Sequence, residues 1–115
     1  MDFKKRLYEL IHLWEAGPIE DEWAFSTFRE SCIKEFSSEE AFENISHAIE
    51  ALLAEKDESA AIEIVEVILS LARHSNTTEA PRDLLEKCET LKANFHAFDR
   101  YANEKLKQLF QWYRL

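Results

Sequence analysis

The stretch SAAIEIVEVILSLAR, residues 59–73, decides the fold of this chain. Its polar members share one narrow stripe of a helix because they recur at spacings of four and three: Ser59, Glu63, Glu66, Ser70 and Arg73. All the other residues of the stretch are Ala, Ile, Val or Leu. A helix that is apolar around most of its circumference packs on several sides. We therefore expect this helix at the centre of the domain.

The segments around this helix carry their own helical periodicity and end signals. Gly17 and Pro18 end a first helix. Ser37 and Glu40 form a capping box that starts a third helix, and Asp57 caps the central one. Apolar side chains recur every three or four residues in segments 2–16, 21–36, 38–56 and 81–113.

The last of these segments reads as one long helix or as two collinear ones. A single helix would be about 45 Å long, more than a compact domain of this size needs, so we expect a break near Lys92 to Asp99. Residues 1–115 are then one all-α domain, an antiparallel bundle of five or six helices. Two helix pairs resemble units of a HEAT-like array: 38–56 with 58–74, and 81–93 with 99–113.

Composition excludes several classes of protein. One glycine and two prolines in 115 residues leave few turn signals for a sheet and none of the glycine patterns that bind phosphate, so we expect no ATP, NAD or other cofactor. Cys32 and Cys88 lack the spacing of a zinc site and fall at apolar positions, which predicts buried free thiols. With no signal-peptide pattern and no apolar run of membrane-spanning length, we expect a soluble protein of the cytoplasm.

The chain shows no pattern of catalytic residues. Glu43 and His47 stand at i and i+4 on one helix, but no second such pair accompanies them, so we expect a surface ion pair and no metal site. His12, His74 and His96 are scattered, and no Ser or Cys stands beside a His as a nucleophile would. We expect that the protein is not an enzyme, although a catalytic site assembled from residues far apart in the sequence would leave no such local pattern.

Charge is distributed very unevenly along the chain. Residues 7–80 hold seventeen Asp and Glu against four Lys and Arg, a formal charge of −13, whereas residues 1–6 and 81–115 each carry +2. The resulting field disfavours nucleic acid and anionic membranes as direct partners and favours a basic protein. Ordinary solvated helix surface remains the other explanation for the acidic clusters.

The candidate partner-binding residues combine these carboxylates with one aromatic side chain. Trp23 lies outside the apolar face of the second helix and has acidic neighbours, which is typical of an anchor residue in an interface. Alternatively, it packs on Trp14 and Ile19. The full candidate set on the second to fourth helices is Glu20, Asp21, Glu22, Trp23, Glu39, Glu43, Glu50, Glu63 and Glu66.

A small, acidic, all-helical chain without a catalytic motif resembles the immunity proteins that bacteria make against their own nuclease toxins, in colicin and contact-dependent inhibition systems. The resemblance implies that the protein binds a basic toxin domain, mimics nucleic-acid phosphates with its carboxylates and blocks the active site or substrate groove. The alternative is a HEAT-like adaptor or oligomerising module that binds a helix or peptide, with the apolar stripe at 84–113 partly exposed. The first predicts an association rate that depends steeply on salt, and the second predicts a hydrophobic contact with a modest salt dependence.

Overall fold

The computed structural model describes residues 1–17 and 21–115, and within them the chain forms six α-helices and no strand. These helices confirm the predicted all-α bundle and the higher of the two helix counts. Their bounds are α1 Phe3–Ala16, α2 Ala24–Glu35, α3 Ser38–Ala54, α4 Glu58–Ser75, α5 Arg82–Phe95 and α6 Arg100–Trp112.

Side chains cap the helices where the sequence places capping residues. Ser37 Oγ accepts a hydrogen bond from Glu40 N at 3.1 Å, and Ser37 N donates to Glu40 Oε1 at 3.0 Å, which completes the predicted capping box of α3. Asp57 Oδ2 accepts from Ala60 N at 2.9 Å and caps α4 as predicted. These bonds occupy backbone N–H groups that the first turn of a helix otherwise leaves unpaired.

The predicted break in the last helical segment is confirmed and lies between Phe95 and Arg100. Asp99 Oδ1 accepts a hydrogen bond from Tyr101 N at 3.0 Å and thereby starts α6. Asn103 Nδ2 donates to Phe95 O at 2.9 Å and so connects the new helix to the end of the old one. A further hydrogen bond, from Asp99 N to a carboxylate oxygen of Glu58, connects this turn to the start of α4.

The helices form two layers, with α1, α3 and α5 in one and α2, α4 and α6 in the other. The domain is correspondingly thin, with principal extents of 37 × 34 × 19 Å. The closest packing joins α3 to α4 across the layers, and α4 also contacts α1, α2 and α6. The predicted central position of α4 is therefore confirmed, and ten of its residues are buried.

The helix pairs expected from a HEAT-like array differ from one another in their packing. Helices α3 and α4 pack extensively as the first expected pair. Helices α5 and α6 contact each other much less, because α5 packs mainly on α3 and α6 mainly on α4. Helices α5 and α6 are therefore held in place mainly by α3 and α4, their neighbours within each layer, and less by each other.

Aromatic side chains fasten α1 to the rest of the bundle at both of its ends. Near its start, the ring of Phe3 stacks on Phe28 with centroids 5.5 Å apart. Near its end, Trp14 meets Phe25 edge to face at 5.0 Å and donates from Nε1 to Ser59 Oγ at 3.0 Å. Burial of one such aromatic side chain stabilises the fold by about 1.5–3 kcal/mol.

Candidate protein-binding surface

The described residues contain no recognisable metal or membrane feature. No group of three or more His, Cys, Asp or Glu among them is placed to hold a metal ion. No helix in this part of the chain combines the length and the apolarity that crossing a bilayer requires. Both cysteines are free, with Cys32 buried as predicted and Cys88 only half-buried. The ion pair expected between Glu43 and His47 is not formed.

The predicted acidic surface is divided between the two layers of the domain. Helices α3 and α4 pack against each other through their apolar sides, so their polar stripes point away from each other. Glu50 of α3 reaches Lys4 of α1 at 3.8 Å, which places it on the α1–α3–α5 face. Glu63 and Glu66 lie on the opposite face, where α4 runs between α2 and α6.

Ion pairs within the protein already occupy the two carboxylates of α4. Glu63 Oε2 lies 3.2 Å from the Arg29 guanidinium of α2, and Glu66 Oε1 lies 2.7 Å from Lys105 Nζ of α6. Burial raises the pKa of Glu63 even though Arg29 opposes this shift, and the hydrogen bond with Glu66 raises the pKa of Lys105. These carboxylates therefore join helices and are not free to receive an external cation.

Two other predicted carboxylates line an open groove. Glu39 and Glu43, one turn apart on α3, share it with Glu79 from the loop after α4, and its volume is about 300 Å³. The half-buried ring of Phe42 contributes the main apolar surface. No basic side chain lines the groove, and no ion pair of the described residues involves its three carboxylates.

The end of α4 shapes this groove. Asn76 takes the left-handed conformation, with φ of 58°, and ends the helix. Thr77 Oγ1 then accepts a hydrogen bond from Glu79 N at 3.1 Å, and Thr77 O accepts one from Trp112 Nε1 at 3.3 Å. Beside them, His74 Nε2 lies 2.6 Å from Phe36 O and connects the end of α4 to the end of α2. The groove thus lies between the start of α3 and the end of α4, and a hydrogen bond connects the loop after α4 to the end of α6.

The electrostatics of the groove favour a positively charged side chain. Three like charges around one small space repel one another, and an ammonium or guanidinium group placed between them would relieve that repulsion. An aromatic ring beside the carboxylates adds a cation–π contact of about 0.5–1 kcal/mol at an exposed site. The arrangement fits Lys or Arg better than an apolar or anionic group.

Trp23 lies far from this groove. Its side chain is 66% exposed, so it does not pack on Trp14 as the alternative prediction required, and Ile19 and Glu20 lie outside the described residues. Asp21 Oδ1 accepts from Trp23 N at 3.0 Å, so this acidic turn stands at the start of α2. Since the groove lies beyond the other end of this twelve-residue helix, the two are about 18 Å apart at 1.5 Å per residue. Glu22, which lies between Asp21 and Trp23 in the sequence, is also exposed.

A second open surface is apolar and belongs to α1. Tyr8, His12, Leu13 and Ala16 border a groove of about 600 Å³ whose one carboxylate is Glu9. Leu13 is 72% exposed, the largest exposed fraction among the exposed large apolar side chains of the described residues. An apolar patch of this kind is typical of a contact with another protein.

Comparison of the chain with family models, with curated proteins and with solved structures finds no match in any of the three.

Proposed function

We propose that this protein binds and neutralises a basic protein, and that the groove between α3 and the α4–α5 loop receives a Lys or Arg side chain of that partner. One observation carries the proposal: Glu39, Glu43 and Glu79 converge on one groove without an internal cation. Most other features of the acidic surface have an ordinary explanation as solvated helix or internal ion pair. Glu39 also lies in the first turn of α3, where the helix dipole favours a carboxylate, but Glu43 and Glu79 have neither that position nor an ion pair.

The resemblance to immunity proteins makes a toxin nuclease domain the expected partner. Such a domain carries basic side chains to bind nucleic-acid phosphates, and carboxylates at comparable spacing can occupy the same positions. A net charge of −9 would speed the encounter, because complementary fields raise association rates steeply at low salt. Fast association suits a protein that must bind a toxin before the toxin meets its substrate.

The contact surface that we propose differs from the predicted set. It keeps Glu39 and Glu43 and adds Glu79, whereas Glu63 and Glu66 serve the fold through their ion pairs. Trp23 forms a second contact about 18 Å away. A standard protein interface of about 800 Å² per partner is wide enough to include both places.

The experiment that tests this proposal is an affinity capture from the native host with three versions of the full chain as bait. The first is the wild type, and the second combines Glu39→Gln, Glu43→Gln and Glu79→Gln. The third, a matched control, removes the same amount of charge elsewhere. Its substitutions are at three exposed carboxylates without a described ion pair and outside both grooves: Glu30→Gln, Asp83→Asn and Glu104→Gln.

We expect wild type and control to retain a protein with a basic domain in stoichiometric yield, and the groove variant to lose it. Retention should fall as salt rises, because exposed charges are screened. The proposal fails if no basic protein is retained, or if the groove variant retains it as well as the control does. If the retained protein is basic but has no nuclease activity, binding stands and the nuclease assignment is wrong.

The apolar surface of α1 favours a second candidate, the adaptor or oligomerising module. Most of the stripe at 84–113 that this alternative would expose is buried, including Leu84, Leu91 and Leu109. The exposed Leu13 and Tyr8 on α1 offer another place for an apolar contact. Under this candidate Leu13→Glu abolishes partner capture or self-association, whereas the groove variant and high salt leave it intact.

A further inference from the structure

We propose that the groove between α5 and α6 binds a medium-chain aliphatic carboxylate, with the tail on the apolar floor and the carboxylate among the basic side chains of the rim. This site lies apart from the acidic groove, and it does not depend on the function proposed above.

The floor of the site is apolar and built from the core. Leu106 and Phe110, one turn apart on α6, are only 3% and 6% exposed, and the small surface that they retain faces the groove. Leu115 borders the same space beyond the end of α6. The volume of about 440 Å³ is within the range of about 300–1,000 Å³ that small-molecule sites occupy. The groove is therefore large enough for an extended alkyl chain.

The rim of the site is basic in a protein that is otherwise acidic. Lys92 and His96, one turn apart at the end of α5, face Lys107 of α6 across the groove, and no carboxylate side chain lines it. Lys107 takes part in no ion pair of the described residues. Lys92 Nζ lies 5.4 Å from the centroid of the Phe110 ring, so one cation stands directly above the apolar floor. Lys92 Nζ also lies 3.2 Å from Glu89 Oε1, a carboxylate outside the groove that offsets part of its charge, so Lys107 is the main rim cation.

This combination selects an amphiphilic anion. A cation would meet the like charges of Lys92 and Lys107 at the rim, and a small hydrophilic anion would leave the apolar floor uncovered. Each methylene of the ligand that is removed from water contributes about 0.8 kcal/mol, so the tail adds affinity and the rim supplies the choice of charge. The groove on α1 is apolar as well, but its charged lining residue is Glu9, so it does not share this selectivity.

Titrations of the ¹⁵N-labelled full chain, followed by amide chemical shifts, test the site with three probes. Octanoate has both the tail and the carboxylate, acetate lacks the tail, and octylammonium reverses the charge. We expect octanoate to produce saturable shifts at Lys92, His96, Lys107 and Phe110, and the other two probes to produce none there. The proposal is overturned if octanoate leaves these amides unchanged, or if octylammonium shifts them equally.

A charge-reversing variant separates the local site from the field of the whole protein. Lys107→Glu should weaken octanoate binding about tenfold, equivalent to about 1.4 kcal/mol. Lys5→Glu on α1 changes the net charge by the same amount at an exposed lysine away from the groove, and it should weaken binding less than twofold. Equal weakening by the two variants would show that the rim does not hold the carboxylate.

Discussion

Lys105 Nζ of α6 lies 2.7 Å from Glu66 Oε1 of α4, and both side chains are about three-quarters buried. The pair joins the central helix to the last one at a point where α6 has little support from α5. Glu66 therefore stabilises the fold, although the sequence around it looks the same as that around an acidic residue that binds a partner.

Lys105→Gln should therefore destabilise the protein. The substitution leaves Glu66 as a largely buried carboxylate without its cation, and we expect a loss of about 1–3 kcal/mol in the free energy of unfolding. Lys107→Gln, two residues further along α6 at an exposed position without a described ion pair, should change it by less than about 0.5 kcal/mol. Urea unfolding of the two variants measures the difference, and similar midpoints would contradict the structural role of the pair.

Glu55 should make stability depend on pH. Its side chain, just beyond the end of α3, is 8% exposed. Burial and, to a smaller extent, a hydrogen bond with Glu15 raise its pKa from 4.5 to about 7. A carboxyl group whose pKa is higher in the folded state stabilises the fold fully below about pH 4.5, and this contribution is lost as pH rises through 7. Glu55→Gln should keep the hydrogen bond from Asp57 N and remove the titration.

We expect Glu55→Gln to be more stable than wild type at pH 8 and to differ much less at pH 5. Thermal unfolding at both pH values measures this, and Glu22→Gln, at an exposed position, is the control for removing one negative charge. A gain for Glu55→Gln that is the same at both pH values would mean that Glu55 does not titrate between them.

Tyr113 carries a buried hydroxyl group that nothing in the described residues satisfies. The side chain is 5% exposed, its Oη has no hydrogen-bond partner, and burial raises its pKa to about 12. Because an unpaired buried polar group costs about 1–3 kcal/mol, Tyr113→Phe should leave stability unchanged or raise it by up to about 1 kcal/mol. Chemical denaturation tests this, and a loss above about 1 kcal/mol would reveal a partner for the hydroxyl.

The two tryptophans at this end of the domain should behave oppositely. Trp23→Ala removes a side chain that is 66% exposed and should change the free energy of unfolding by less than about 0.5 kcal/mol. Trp14→Ala removes the contact of a half-buried ring with Phe25 and the hydrogen bond to Ser59, and should cost about 3 kcal/mol, the low end of the range for a large core side chain. If Trp23 is an interface anchor, its removal weakens partner binding by about 2 kcal/mol or more while stability is preserved. Equal destabilisation by both variants would place Trp23 in the core.

Local sequence signals predicted the helices well because their causes are local. The capping box of Ser37 and Glu40, the cap at Asp57 and the narrow polar stripe of residues 59–73 all act within one or two helical turns. The break between Phe95 and Arg100 followed from length alone. The second helix begins at Ala24, three residues later than predicted, because Asp21 and Trp23 form a turn before it.

The acidic surface could not be predicted in the same way because its arrangement depends on packing between distant segments. Nothing near Glu66 in the sequence indicates Lys105, which approaches it only because α6 packs on α4. No pattern around Glu79 indicates a binding residue, because only the folded chain brings it beside Glu39 and Glu43. The clustering of charge was visible in the sequence, but the layer to which each carboxylate belongs was not.

Titration calorimetry with the basic protein retained by the wild-type bait tests the central claim most directly. We expect one-to-one binding that weakens about a hundredfold when Glu39, Glu43 and Glu79 are all changed to Gln, at about 1 kcal/mol for each exposed charge. The matched variant at Glu30, Asp83 and Glu104 should weaken it less than about threefold. Equal weakening of the two would contradict the account, because the partner would then respond to net charge and not to the groove.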